Sequence, residues 1–269
     1  MKNLPFAHRV AILVGLFVAT VVGALFVDPI PQDPAFHLFA DSRAWLGVSN
    51  FMDVISNAGF TVVGVAGLVT VLGRGGRAVF VETWHRLPHG VFFFGVAMVG
   101  AGSAYYHLAP NNDTLFWDRL PMTVAFMALF AAVIADRVHA RVGVNGLLPV
   151  LIAAGVLSLL YWDWTESLDR GDLRFYALVQ FFPIVALPVV CVLFPGARHT
   201  GGRYLIQVVG WYLLAKVLEH ADAEVFGWFG GTVSGHTLKH LAATVATFVV
   251  LRMVVAGKTP RPVPVGGQA

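Results

Sequence analysis

Three histidines carry most of the chemical content of this chain. His236 and His240, in Gly235-His-Thr-Leu-Lys-His240, stand four residues apart at the start of an apolar segment, so a helix puts both imidazoles on one face. His107 closes an earlier apolar segment, Gly102-Ser-Ala-Tyr-Tyr-His107, and Asp118 begins the next after a turn at Pro110-Asn-Asn112. Ser103 lies one turn before His107 on the same face. Three neutral imidazoles with an open fourth position are the ligand set of a catalytic zinc. Such a metal lowers the pKa of its water toward about 7 and polarises a carbonyl. A lone H-x-x-x-H is a weak signal. Joined by Ser103, His107 and Asp118 at matching depth, it becomes a strong one, because polar groups inside a membrane are rarely kept without a use.

The elements that must hold these residues are membrane helices. The chain has 269 residues, of which 57% are hydrophobic and 12% charged, with a mean hydropathy of +0.73. Apolar stretches at 10–27, 53–72, 88–108, 118–136, 145–162, 173–194, 203–221 and 236–256 each approach the roughly 17–25 residues that cross a bilayer. The expected fold is therefore an all-α polytopic membrane bundle. Residues 1–256 form a single transmembrane domain, followed by a disordered cytoplasmic tail at 257–269. A cleaved signal peptide is the alternative for 10–27, although no clear A-x-A site follows it. Cys191 is the single cysteine, which excludes an intrachain disulfide and a multi-thiolate metal site.

Basic residues favour one orientation. With both termini cytoplasmic, the inner segments hold Lys2, Arg9, Arg74, Arg137, Arg141, Arg198, Lys258 and Arg261, while most acids fall outside. The net charge of +3 is then a matter of topology, and nucleic acid is not an expected partner. In this arrangement His107, Asp118 and His236 all lie in the outer third of the membrane. The second span enters there with Asp53, Ser56 and Asn57, and the seventh leaves there with Lys216, Glu219, His220 and Asp222. Polar residues from five helices converge on one layer. The outer loop 28–50, with helical character at 36–45, is expected to lie over its mouth. Pro183 and Pro188 should kink the sixth span and open a lateral slot or a packing irregularity. His37, His85, His89, His139 and His199, in loops or at cytoplasmic ends, are read as solvated.

The residues alone leave other readings open. The three histidines can be polar core groups; a haem pair fits less well, because imidazoles one turn apart suit one small ion. Ser103 can bond its own helix carbonyl. Asp118 can be an N-terminal acid favoured by the helix dipole. Asn57 can bridge helices, and Lys216, Glu219 and Asp222 can form a structural ion-pair network.

The segments Phe51-Met-Asp-Val-Ile-Ser-Asn57, Gly100-Ala-Gly-Ser-Ala-Tyr-Tyr-His107, Phe116-Trp-Asp-Arg-Leu-Pro-Met122 and Gly235-His-Thr-Leu-Lys-His240 resemble the pattern of the alkaline ceramidase family. That family lies within the wider CREST superfamily of membrane hydrolases, which includes the adiponectin and progestin receptors. The resemblance implies a seven-helix core at 53–256 preceded by one extra span at 10–27. It implies zinc on His107, His236 and His240, with Ser103 and Asp118 as catalytic partners, and hydrolysis of the amide of an N-acyl sphingoid lipid in the membrane. The family's calcium cluster is not matched: its glutamate before the first motif is Asn50 here, with Asp33 and Asp41 as loose substitutes. Arg119 also stands where the family usually has an acid. A zinc-containing lipid receptor with little turnover is the alternative, and a transporter, lacking a repeat or an inner polar path, the third reading. The expected location is a bacterial inner membrane, with the oligomeric state open.

Overall fold

The computed structural model describes residues 4–80 and 82–257. Lys2, Lys258, Arg261 and the expected tail beyond Gly257 lie outside the described residues. The protein is all-α. Its helices are α1 (Phe6–Leu25), α2 (Phe51–Ser56), α3 (Ala58–Leu72), α4 (Arg74–Val79), α5 (Leu87–Leu108), α6 (Asn112–Arg137), α7 (Leu148–Glu166), α8 (Arg174–Leu193), α9 (Gly202–His220), α10 (Asp222–Trp228) and α11 (Gly235–Val255). Among the described residues seven helical segments are long and apolar enough to cross a membrane, α2 and α3 counting together as one. The remaining expected span, α9, forms as a 19-residue helix but carries Arg203, Lys216 and Glu219, so composition does not rank it with the seven.

The core is a ring in which α3 packs on α5, α5 on α6, α6 on α7, α7 on α8, α8 on α9 and α9 on α11, and α11 closes back on α3. The helix α6 is the most buried and also touches α8 across the interior. By contrast, α1 buries no residue and leans on α8, as an appended span would. In lipid there is little hydrophobic drive between helices, so close backbone approach must come from small residues. Gly64 is such a position: a Cβ there would sit 2.3 Å from the Ala97 backbone nitrogen. At Gly102 it would sit 2.2 Å from the Trp117 carbonyl oxygen, and this contact brings the next residues, Ser103 and Asp118, side by side.

Three local expectations need correction. The helix carrying Asp118 does not begin near that residue. Asn111 and Thr114 form a reciprocal capping box that starts α6 at Asn112. Asp118 is therefore in the second turn, beyond the reach of the helix dipole, and Pro121 lies inside the helix. The loop 28–50 is helical only as a 3-10 turn at Pro34–His37, followed by a bridge between Trp45 and Val48, because Asp33 caps the turn and Leu46 and Gly47 take positive φ. His89 and His199 are buried against Phe80 rather than solvated. As for the prolines, α8 continues as one helix through Pro183 and Pro188.

Replacing Gly64 with Val should lower unfolding stability in detergent by roughly 2 kcal/mol or more, because the clash is with backbone. Gly210→Ala, where a Cβ meets nothing within 4 Å, should be neutral or gain up to about 1 kcal/mol of helix propensity. Thermal unfolding of the two variants checks this; equal losses would contradict the packing argument.

Candidate metal centre

His107, at the end of α5, meets His236 and His240, at the start of α11, in a fully buried group. One ring nitrogen from each lies within 4.8 Å of the others, an arrangement that could hold a metal ion. The ring centroids are 4.8–4.9 Å apart, and the Nε2 atoms of His107 and His236 are 3.3 Å apart. The three side chains are 1–4% exposed, so bulk water does not solvate these nitrogens.

Each ring is fixed by groups around it. The Ser56 hydroxyl donates to the Asp53 carbonyl at 3.1 Å and lies 2.8 Å from His240 Nδ1. With its one proton committed, Ser56 accepts from Nδ1–H, which leaves a lone pair on His240 Nε2. That Nε2 is buried and has no partner. The carbonyl of His107, exposed by the end of α5, accepts from Asn50 Nδ2 at 2.8 Å. Asn50 itself occupies the left-handed region at φ 47°, which asparagine tolerates. The N-terminus of α11 is held twice: Ser234 caps Thr237, and Asp222 Oδ1 accepts from the His236 backbone N–H at 2.7 Å. Thr237 then donates to Asp53 Oδ1 at 2.7 Å, tying α11 to α2.

Cationic charge also reaches the cluster. Lys239 Nζ is 2.9 Å from His236 Nε2 and 3.0 Å from Glu219, and Glu219 is shared with Lys216. An ammonium donating to His236 Nε2 requires a lone pair there too, so two of the inward-facing nitrogens are unprotonated. This donor set, all imidazole and partly orphaned, fits a borderline divalent ion such as zinc.

Ser103 and Asp118 are both buried, and the Ser103 hydroxyl interacts with the Asp118 carboxylate. Among the other expected site residues, Asn57 donates to the Asp53 carbonyl of its own segment at 2.7 Å instead of bridging helices. Lys216 and Glu219 pair as anticipated. Asp222 instead serves the His236 and Ala40 backbone N–H groups, and His220 is exposed at the end of α9. Asp33, Asp41 and Asn50 are engaged by Ala35, Arg43 and His107 respectively.

The loop 28–50 closes over the histidines. Phe39 lies 4.7 Å, ring to ring, from both His107 and His236. His37 bonds the Tyr106 hydroxyl and Asn112, while Arg43 reaches the Thr232 carbonyl. The hydrogen bonds from Arg43 hold the Asp41 carboxyl below the usual carboxylate range. Lys239 and Phe39 were not identified from sequence as site residues. Lys239, three residues after His236, was open to the same periodicity argument, whereas nothing local marks Phe39.

On the other side of the layer is a small apolar cavity of about 130 Å³, partly open to the surface. Its lining includes Val99, Met122 and Ala243, each about one turn below Ser103, Asp118 and His240. No protein-family model matches this chain, and no curated protein matches it.

Metal analysis should find about one divalent ion per chain and none in His240→Ala. Ser56→Ala, which frees the His240 ring, should weaken metal affinity roughly 10–100-fold in chelator competition. Unchanged affinity would mean that Ser56 does not orient the ligand.

Proposed function

We propose that this protein is an intramembrane zinc-dependent amide hydrolase that cleaves an N-acyl sphingoid lipid, ceramide-like in kind, into a fatty acid and a free sphingoid base. The observation that carries this reading is the stacking of three layers: a buried three-histidine group, Asp118 with Ser103 beside it, and an apolar cavity directly beneath. A sphingoid amide has the matching anatomy, with a polar scissile group next to long chains. The resemblance in the four sequence motifs points the same way.

A divalent metal on His107, His236 and His240 supplies a Lewis acid and a water of lowered pKa. The protein's own groups do the rest. In this reading Asp118 takes the proton of an attacking water and returns it to the departing amine. Ser103 lies beside Asp118 and can turn to the developing oxyanion, a bond of a kind that contributes about 3 kcal/mol. Ser56 and Asn50 hold the histidines, and Phe39 excludes bulk water from their outer side. With the mouth covered, the lipid enters from the cavity side, through the bundle wall. In this reading the histidine end faces the non-cytoplasmic side of a bacterial inner membrane with both termini cytoplasmic, the orientation that the bias of basic residues favours.

Purified metal-loaded protein should release free fatty acid from an N-acyl sphingoid lipid, and Asp118→Asn should lower that rate about 10²–10⁴-fold while metal content is retained. Lipid binding without release would leave the receptor reading instead.

A further inference from the structure

We propose that the end of the bundle opposite the metal centre carries a second site, which takes a phosphomonoester group. A polar pocket of about 330 Å³, partly open, lies where α5 begins, α6 ends and the segment 194–201 joins α8 to α9. Its wall includes His85, His89, His139 and His199 together with Arg137 and Arg198. The site is separate from the histidine layer, since His89 and His107 stand roughly 27 Å apart along α5. None of its residues enters the proposed hydrolysis.

The wall is short of partners and of negative charge. His85 Nε2, both ring nitrogens of His89 and His199 Nδ1 are buried without a hydrogen bond. The His85 carbonyl comes near the His89 ring, but it can serve only one of the two nitrogens. Arg137 is buried as well and donates only to neutral oxygens: the Thr200 hydroxyl at 3.2 Å, the Phe194 carbonyl at 2.8 Å and the Thr200 carbonyl. A guanidinium out of water and without a carboxylate lacks its counter-charge. The two acids of the pocket are engaged elsewhere. Asp136 accepts from the backbone N–H groups of Arg198, His199 and Thr200 and from the Thr200 hydroxyl, at 2.7–3.2 Å. Glu82 is exposed and accepts from Trp84 Nε1. A metal ion does not suit the place: among the described residues only His107, His236 and His240 bring three ligand atoms together, and here two guanidinium groups share the wall. A phosphomonoester answers both needs. Its anionic oxygens match a guanidinium fork, and its second ionisation near pH ~6 leaves it a hydroxyl part of the time, so it can meet an imidazole N–H or an imidazole lone pair. The pocket opens at the helix ends, the depth at which a lipid headgroup meets a spanning bundle. A lipid and free phosphate bring the same chemistry to it.

Phosphatidic acid, phosphatidylcholine and inorganic phosphate, offered to the full-length protein in detergent, test this, with bound lipid counted by native mass spectrometry. Phosphatidic acid should bind about tenfold more tightly than phosphatidylcholine, and Arg198→Gln and His89→Phe should each remove most of that difference. Arg198 is exposed, and Phe in place of His89 keeps a ring against Phe80, so the bundle is left intact. Displacement of phosphatidic acid by excess inorganic phosphate would identify free phosphate as an occupant; phosphatidic acid that stays bound would identify the lipid. Equal binding of the two lipids, or a preference that survives both substitutions, would overturn the proposal. So would a second metal equivalent per chain that is lost in His89→Phe, because the imidazoles would then hold a cation.

Discussion

Ring nitrogens facing inward, gathered within 4.8 Å of one another where water does not reach, set the terms for the rest of this structure. Lone pairs converging in an apolar bundle repel each other and forgo hydration, so the arrangement persists only if a positive charge is provided for it. Lys239 illustrates the demand by directing its ammonium to His236 Nε2. Glu219 keeps that ammonium tethered, with Lys216 sharing the same carboxylate. The relay from His240 through Ser56 to the Asp53 carbonyl then fixes which nitrogen faces inward. Breaking such a buried network by removing one member leaves the others uncompensated.

Holding imidazoles from two helices at one depth is a problem of helix registration. Hydrophobicity cannot solve it, since lipid receives an apolar face as readily as a neighbouring helix does. Two devices supply the registration here. Backbone contacts at Gly64 and Gly102 fix α3 on α5 and α5 on α6. Polar ties at the helix ends fix the rest: Asn50 on the His107 carbonyl of α5, Asp222 on the His236 N–H of α11, and Thr237 on Asp53. A helix terminus leaves backbone groups unsatisfied in any case, so the same bonds that complete each helix also set the height of its histidine.

Most of this layer was legible in the sequence because periodicity alone determines it. A spacing of four residues puts His236 and His240 on one face, and span lengths place His107 and Asp118 at the same end. Eight long helical segments form over the apolar stretches, although α6 begins earlier, at Asn112, and α9 is more charged than its neighbours. What was not legible depended on contacts between distant residues. The start of α6 is the one local exception: Asn111 and Thr114 cap it ahead of the apolar run that hydropathy detects. Phe39 reaches the histidines only because the loop folds back across the mouth, and no local pattern encodes that return. His89 and His199 looked solvated because each is near a helix end, yet both are covered by Phe80 from an adjoining segment.

The loop and the cavity together constrain how any ligand reaches the cluster. Phe39, His37 and Arg43 tie the loop to α5, α6 and the segment before α11, so opening the mouth would break several hydrogen bonds at once. The cavity is apolar, already partly open, and lies one turn beneath the polar residues. A molecule that partitions into lipid can travel that way without losing favourable contacts, whereas a water-soluble one would have to cross an apolar wall. Under the proposed function, the architecture thus discriminates by solvent: an amphiphile can follow the apolar route and a polar solute cannot.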